Sequence, residues 1–250
     1  MLRELMKRAY SGVSRRLHQG GDWFSQVGTL EWLASFVITA RGLKQFTFVE
    51  VGVFKGDNAV SVVNTALGSG AAVTYVGFDL FEHNESFFAS HPDDLAMYDL
   101  PEYAYFEFGS GGHAYAAVQR KLRTVLRDSD FILVAGDSTT TIPAHRLDIK
   151  MATVVFIDGC HDYDIVARDW NNIKVLFDDN NNMVVVFDDT TYSGVNQLIS
   201  EIRTDGRPYG VYRLNFNQCV VAPYSLPLKE RLMYRSAGLI SKLRETTNRK

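Results

Sequence analysis

Three aspartates stand where buried apolar runs end, and their carboxylates could converge on one point. Asp158 closes the run TVVFID, and Asp188 and Asp189 close the run MVVVFDD. Carboxylates at close range repel one another, and their pKa values rise unless a cation neutralises them. Hard oxygen ligands suit Mg²⁺ or Mn²⁺, so the sequence predicts a metal site here. Because neighbouring strand residues point to opposite faces, Asp188 and Asp189 can both ligate only if the chain turns at Asp189; the alternative is a pair that caps a turn.

A second group of residues lies in the loop after the first apolar run. Its spacing, from Glu50 through Gly52 to Gly56, is E-x-G-x-x-x-G and differs from the G-x-G-x-x-G of a dinucleotide site. Gly52 allows a tight turn and close approach of a ligand to the backbone, and Gly56 stands where a helix begins. A carboxylate at Glu50 would repel a phosphate and suits a ligand with a cationic amine. The alternative is a strand–turn–helix junction with an incidental glutamate.

Acidic residues also end the second and third apolar runs. Asp79 lies 27 residues after Gly52 and can accept hydrogen bonds from both hydroxyls of a ribose. Asp137 and Ser138 follow the third run, where an adenine amino group could be read. Taken singly, each aspartate could equally make a turn. Together with the glycine loop they predict a nucleoside ligand without phosphate, and S-adenosylmethionine is the common ligand of that description.

Short, nearly continuous runs of Val, Ile and Phe must position these residues, and such runs are typical of strands buried on both faces of a parallel sheet. The runs span 46–53, 73–80, 131–135, 153–158 and 183–188, followed by 211–215 and 219–222, with helix-length segments at 56–68, 112–127, 162–177 and 194–204. The last two runs predict an antiparallel hairpin. The whole pattern predicts an α/β, Rossmann-like, doubly wound sheet of seven strands, five of them parallel, with helices on both faces.

The same pattern divides the chain into three parts. Residues 1–45 are expected to form N-terminal helices, residues 46–225 the ligand-binding domain, and residues 226–250 a basic C-terminal helix. The segment 81–111 directly follows a strand and is rich in aromatic and acidic residues. Because ligands of open α/β sheets bind beyond the strand ends, we expect this segment to be an inserted lid or substrate loop.

Three strings resemble a known family. Residues 77–82 read GFDLFE, residues 156–163 read FIDGCHDY, and residues 186–189 read VFDD. They are similar to G-F-D-x-F-E, I-D-G-D-H-x-Y and F-D-D, which occur in this order in the macrocin O-methyltransferase group. That group comprises metal-dependent sugar O-methyltransferases within the class I S-adenosylmethionine-dependent methyltransferases. The resemblance spans about residues 46–195, and the last two strings are its most specific part.

The resemblance implies transfer of a methyl group from S-adenosylmethionine to a hydroxyl of a sugar or another small molecule, with Mg²⁺ or Mn²⁺ at the three aspartates. A general base must take the hydroxyl proton. His161, three residues after Asp158, is the first candidate, and those two residues form the expected catalytic group; His161 could instead orient an aspartate ligand. The family often has Asp where this chain has Cys160, which we interpret as inert, and Asp162 is a less favoured replacement base.

Other functions remain open on the sequence. The acceptor could be of the catechol type, since nothing in the residues decides between a flat ring and a sugar. The protein could also be a non-catalytic module of the S-adenosylmethionine-binding fold. A metal-dependent hydroxylase on this fold would need iron ligation, usually with more than one histidine nearby, and only His161 lies in the motif.

Composition and charge limit the partners. The chain has 250 residues, 46% hydrophobic and 22% charged, as expected for a soluble globular protein, and its two cysteines are too few for a disulfide framework. Residues 1–20 carry +4 and residues 227–250 carry +5, which leaves −12 on the body and argues against a broad nucleic-acid-binding face. We read no transmembrane run and no secretory signal, and expect a cytoplasmic protein whose terminal helices offer a surface for a homo-oligomer.

Overall fold

The computed structural model describes residues 26–81, 113–177, 180, 182–205 and 209–247. The predicted first helix and all of the predicted insert except Phe81 lie outside these residues. The predictions made for those two segments therefore stay predictions.

A single seven-stranded sheet organises the described residues. Its strands are β1 (Gln45–Val51), β2 (Ala72–Asp79), β3 (Phe131–Ala135), β4 (Val154–Ile157), β5 (Val184–Phe187), β6 (Tyr209–Arg213) and β7 (Cys219–Pro223). The order across the sheet is β3-β2-β1-β4-β5-β7-β6. The first five strands pair in parallel, and β7 runs antiparallel to both β5 and β6. The predicted fold class is confirmed, including the closing hairpin.

Helices cover both faces of the sheet. They are α1 (Gln26–Arg41), α2 (Asp57–Gly68), α3 (His113–Leu122), α4 (Ser138–Ala144), α5 (Arg146–Ile149), α6 (Tyr163–Lys174), α7 (Ser193–Thr204) and α8 (Leu228–Thr247). Side chains alternate across β1, so that Phe48 and Val49 enter two different cores. One core packs against α1, α2, α3 and α8, and the other against α4 to α7. The central parallel strands β4 and β5 are covered on both faces and are continuously apolar, which is the pattern that predicted them.

Two short helices, α4 and α5, were not expected from the sequence. Helix α4 contains three threonines and Pro143, which have low helix propensity. The helix forms because Asp137 caps it by accepting a hydrogen bond from the Thr139 N–H, and because Ile142 is buried in the core. Its position matters for the site, because it begins directly after the predicted ligand residue Asp137.

Candidate active site

The carboxyl ends of β1 and β4 lie at the point where the strand order reverses. The chain runs outward from β1 to β3 and then returns to β4, on the other side of β1. Ligands of open α/β sheets bind in the crevice at such a point. A Cβ on Gly52, after β1, would lie 2.0 Å from the carbonyl oxygen of Asp158, after β4, and the φ of Gly52 is +87°. Only glycine fits here, and it lets the two strand ends meet at the crevice.

Asp79 shapes the glycine loop from the end of β2. Its Oδ2 accepts hydrogen bonds from the N–H groups of Val53 and Phe54 at 2.7 and 2.8 Å, and its Oδ1 accepts one from the Phe81 N–H at 2.8 Å. Phe54 and Gly56 both have positive φ, and Gly56 precedes α2 as expected. Asp79 is half-buried at the crevice, and its expected contact with a ribose stays a prediction. The carboxylate thus holds the turn of the loop that a ligand would approach.

Glu50 lies below this loop, with no exposed surface. Its Oε2 accepts a hydrogen bond of 2.6 Å from the Tyr75 hydroxyl. Burial raises the pKa of Glu50 to about 8, although the hydrogen bond from Tyr75 lowers it and nearby Asp79 raises it further. A direct contact with a ligand amine would need the side chain to become exposed. In the structure Glu50 supports the loop from inside the core.

Asp137 and Ser138 follow β3 at the same edge of the sheet and are half-buried. Asp137 caps α4, and the Ser138 hydroxyl donates a hydrogen bond of 3.0 Å to Oδ2 of Asp169 on α6. Asp169 is only 1% exposed, and its Oδ1 has no hydrogen-bond partner among the described residues. Burial raises the pKa of Asp169 to about 7, opposed by the hydrogen bond from Ser138 and assisted by the charge of Asp137. The two residues expected to read adenine are therefore held in place by α4 and α6.

His161 and Asp189 form a pair between the loops after β4 and β5. Nε2 of His161 lies 2.7 Å from Oδ2 of Asp189, and both side chains are partly exposed. The Tyr192 ring stacks on the His161 ring, with centroids 4.2 Å apart and planes inclined by 12°. Burial raises the pKa of Asp189, but the hydrogen bonds from His161 and Asn217 outweigh it and place that pKa below its usual value. A carboxylate on one ring nitrogen and a stacked ring on one face fix the imidazole.

Asp188 and Asp189 converge through a turn of the chain. The φ of Asp189 is +51°, and its carbonyl accepts a hydrogen bond of 2.9 Å from the Tyr192 N–H. Both carboxylates then reach one nitrogen: Nδ2 of Asn217 donates to Oδ1 of Asp189 at 2.5 Å and to Oδ1 of Asp188 at 3.2 Å. Asp188 is 2% exposed and also accepts a hydrogen bond of 3.4 Å from the buried Gln218 amide. The turn that two neighbouring ligands require is present.

The third expected metal ligand, Asp158, does not complete a metal site with this pair. Among the residues that the structure describes, no three His, Cys, Asp or Glu side chains are gathered closely enough to hold a metal ion. The Asp188–Asp189 pair instead surrounds an amide nitrogen. The three carboxylates are therefore not gathered around one point in this arrangement, and the Mg²⁺ site stays a prediction.

The two remaining residues of this loop have local structural roles. Sγ of Cys160 accepts a hydrogen bond of 3.4 Å from the Asp162 N–H, and Asp162 caps α6 by accepting one of 2.8 Å from the Asp164 N–H. Neither contact favours Asp162 as a base over His161.

A family model described as a methyltransferase domain matches residues 49–190, which run from β1 to just after β5. The chain belongs to this methyltransferase family. The matched segment contains the glycine loop, the strand-end aspartates and the His161–Asp189 pair. No curated protein matches the sequence.

Solved structures share the methyltransferase fold. The calicheamicin methyltransferase CalS11 is 16% identical, with 88% of this chain and 91% of that chain covered and a TM-score of 0.52. The O-methyltransferase TomG from Streptomyces achromogenes, involved in tomaymycin synthesis and solved in complex with S-adenosylmethionine, is 12% identical, with 86% and 89% covered and a TM-score of 0.51. At these identities the likeness concerns the fold.

Within the described residues, no helix is long and apolar enough to cross a membrane.

Several residues of this candidate site were not found by sequence reasoning. They are Tyr75 under the glycine loop, Asp169 behind Ser138, Tyr192 on the histidine, and Asn217 and Gln218 at the aspartates. Tyr75 and Asp169 sit inside regular elements and give no signal of their own. The string NFNQ between β6 and β7 did give one, because three amide side chains in a four-residue turn are more than a turn needs.

Proposed function

We propose that this methyltransferase transfers the methyl group of S-adenosylmethionine to a hydroxyl oxygen of a small-molecule acceptor, a sugar or a related compound. The observation that carries the proposal is the His161–Asp189 pair, 2.7 Å apart, beside the crevice between β1 and β4. A hydroxyl is a poor nucleophile until its proton leaves, so an O-methyltransferase needs a base at this position. A fixed histidine backed by a carboxylate supplies one.

The hydrogen bond to Asp189 decides which ring nitrogen can act. When Nε2–H donates to the carboxylate, a neutral imidazole carries its lone pair on Nδ1, the nitrogen that then accepts a proton. Asp189 stabilises the imidazolium that forms, and the Tyr192 ring limits rotation of the His161 ring. In other enzymes with a histidine base, a carboxylate orients the imidazole and stabilises its charged form in the same way.

The cofactor, when bound, supplies a methyl group attached to a positively charged sulfur. When the methyl group is transferred, the sulfur keeps the bonding electrons and becomes a neutral thioether. The O–H bond of the acceptor breaks as His161 takes the proton, and the oxygen forms its new bond to the methyl carbon. Gly52 and Gly56 would allow close approach of the cofactor to the loop backbone, and Asp79, Asp137 and Ser138 would contact its adenosine part. The acidic edge of the sheet suits a cationic ligand, with Glu50 adding a charge only when it ionises.

We further propose that the reaction uses Mg²⁺ or Mn²⁺. This part of the proposal rests on the family resemblance and on the preference of these ions for carboxylate oxygens. Asp158, Asp188 and Asp189 would hold it, and its chemistry there would be to lower the pKa of the acceptor hydroxyl. Two of these carboxylates already converge on one point, which is occupied by the Asn217 amide nitrogen. Because three ligands are not gathered, no step above depends on the metal ion.

Binding of S-adenosylhomocysteine and transfer of a labelled methyl group test the proposal in sequence. We expect calorimetry to give micromolar affinity for S-adenosylhomocysteine and none for NAD. A panel of glycosides, nucleotide sugars and catechols, incubated with methyl-labelled S-adenosylmethionine, should then yield a labelled ether. His161→Ala should lower that turnover by a factor of about 10² to 10⁴ and leave cofactor affinity unchanged.

Three outcomes would count against parts of the proposal. Cofactor binding without transfer to any acceptor in the panel would support a non-catalytic binding module. Affinity for NAD with none for S-adenosylhomocysteine would overturn the cofactor assignment altogether. Unchanged turnover in His161→Ala would overturn the assignment of the base, and Asp162→Asn, which changes the nearest other carboxylate of that loop, is the matched comparison.

A further inference from the structure

The turn between β6 and β7 packs against the loop that carries Asp189. The carbonyl of Asn217 accepts a hydrogen bond of 3.0 Å from the Thr190 N–H, and Oδ1 of Asn217 accepts one of 3.0 Å from the Thr191 hydroxyl. The acceptor atoms of Asn217 are thus used to join the turn to the loop. Its amide N–H groups are left to point at the carboxylates.

These N–H groups link the carboxylates to the histidine. Nδ2 of Asn217 donates to Oδ1 of Asp189 at 2.5 Å and to Oδ1 of Asp188 at 3.2 Å. The second oxygen of Asp189 lies 2.7 Å from Nε2 of His161. An amide nitrogen has two hydrogens, so both carboxylates can be satisfied without a proton between them. Asn217 therefore acts on His161 through Asp189.

Asn217 itself is fixed from the core. Its N–H donates a hydrogen bond of 2.8 Å to Oδ1 of Asn215, which is 1% exposed. Nδ2 of Asn215 donates to Oγ1 of Thr29 at 2.9 Å and to Oε1 of Gln218 at 2.8 Å. The turn is thus attached to α1 and to the buried amide of Gln218. A residue that orients a charged group must itself be held, and this one is.

We propose that Asn217 is a positioning residue of the proposed O-methyltransferase, which holds the Asp188–Asp189 pair and through it sets the orientation of the His161 ring. The inference rests on the proposed function for its catalytic meaning, but the geometry it describes exists in the free protein. Asparagine suits this position because its side-chain oxygen accepts a hydrogen bond from the loop while its side-chain nitrogen donates hydrogen bonds to the two carboxylates. Aspartate has the same shape but cannot donate, and it would add a third negative charge.

The test compares Asn217→Ala and Asn217→Asp with a matched control on the same loop. Asn196 donates a hydrogen bond of 3.0 Å to the Thr190 carbonyl, so Asn196→Ala removes an amide that supports this loop without removing one that contacts the carboxylates. Nitrogen-15 spectra of the histidine rings, recorded on the free protein in metal-free buffer, report which ring nitrogen carries the proton. The His161→Gln spectrum identifies the signals of His161 among the six histidines.

We expect both Asn217 variants to shift the His161 ring signals and Asn196→Ala to leave them in place. With an acceptor available, the Asn217 variants should lower kcat by about 10- to 100-fold with KM within twofold, because a small misplacement of a reacting group costs up to about 10² in rate. Asn217→Ser keeps one donor and should fall between wild type and alanine; it also replaces alanine if that variant does not fold. His161 signals that stay at their wild-type positions in Asn217→Asp would overturn the inference. That result is independent of transfer, so a failed assay would count against the proposed function alone.

Discussion

The Tyr75 hydroxyl donates a hydrogen bond of 2.6 Å to Oε2 of Glu50 at a place where neither side chain is exposed. Tyr75 lies on β2, and the absence of a side chain at Gly77 makes room for it, since a Cβ there would lie 2.6 Å from the tyrosine oxygen. The pair places an ionisable group directly below the glycine loop. Its protonation is therefore coupled to the stability of the part of the fold that would bind the cofactor.

Glu50 should make the protein less stable as the pH rises. Its pKa is about 8 in the folded chain and 4.5 ordinarily, so the folded state keeps a proton that the unfolded state loses. Stability is then fully present below pH 4.5 and declines up to about pH 8. Glu50→Gln removes this titration and should make the fall of the melting temperature across that window shallower than in wild type. Tyr75→Phe, which removes a hydrogen bond that lowers the pKa, should extend the decline above pH 8. A wild-type slope in Glu50→Gln would contradict the assignment.

Asp169 should contribute to the same decline of stability at lower pH. Its pKa is raised from 3.8 to about 7, so the stability due to its proton falls as the pH rises from 3.8 through 7. Asp169→Asn keeps an oxygen for the Ser138 hydroxyl and removes the titration. We expect its melting temperature to fall less than that of wild type up to pH 7. Equal slopes in wild type and Asp169→Asn across this window would refute this account of Asp169.

Gly52 tests whether the crevice needs the close approach of β1 to β4. Gly70 has nearly the same φ, +84° against +87°, but nothing lies within 4 Å of an added Cβ, whereas at Gly52 that atom would lie 2.0 Å from a carbonyl oxygen. Gly70→Ala should therefore cost only the strain of a left-handed residue, about 1–2 kcal/mol of unfolding free energy. Gly52→Ala should cost that plus a backbone shift, adding about 1–3 kcal/mol.

Denaturant unfolding of both glycine variants gives this difference, and calorimetry with S-adenosylhomocysteine gives its effect on binding. Gly52→Ala should lose affinity and Gly70→Ala should keep it. The sequence explained the glycine at position 52 by the close approach of a ligand to the backbone. The structure gives a different reason, since the added atom first meets the protein's own backbone at Asp158. Equal losses of stability in the two variants would rule out that steric explanation.

The sequence was sufficient for the strands and for the positions of the strand-end residues. Apolar runs such as VVFI and VVVF are typical of strands buried on both faces, and Asp79, Asp137, Asp158 and Asp188 lie at or just after the ends of strands that pair side by side in parallel. The direction of each carboxylate could not be read in the same way. Asp79 turns to the loop N–H groups and Asp188 to two amides, and these partners lie 25 or more residues away. Side-chain direction depends on partners that only the folded chain brings near.

A test for a metal ion distinguishes two roles of Asp188 and Asp189, as metal ligands or as hydrogen-bond acceptors. If Mg²⁺ or Mn²⁺ is required, it must replace the Asn217 nitrogen between Asp188 and Asp189 and recruit Asp158 as a further ligand. EDTA should then abolish methyl transfer, because the acceptor hydroxyl keeps its high pKa, while affinity for S-adenosylhomocysteine stays nearly unchanged. Added Mg²⁺ or Mn²⁺ should restore turnover. Asp188→Asn, which keeps the shape and removes one charge, should weaken Mn²⁺ binding in a calorimetric titration and slow turnover when metal is limiting.

Full activity in EDTA would show that the carboxylates act as hydrogen-bond partners and not as metal ligands. Asp189 would then serve only as the partner of His161, at 2.7 Å, and Asp188 as an acceptor that holds Asn217 in place. Asp158→Asn distinguishes the two cases, because Asp158 enters the proposed mechanism only as an expected metal ligand, whereas Asp189 also orients His161. With a metal site, Asp158→Asn should reduce Mn²⁺ affinity and turnover together. Without one, it should leave turnover within a few-fold of wild type, whereas Asp189→Asn should lower it by about 10² or more, as expected when the orienting carboxylate of a histidine base is lost.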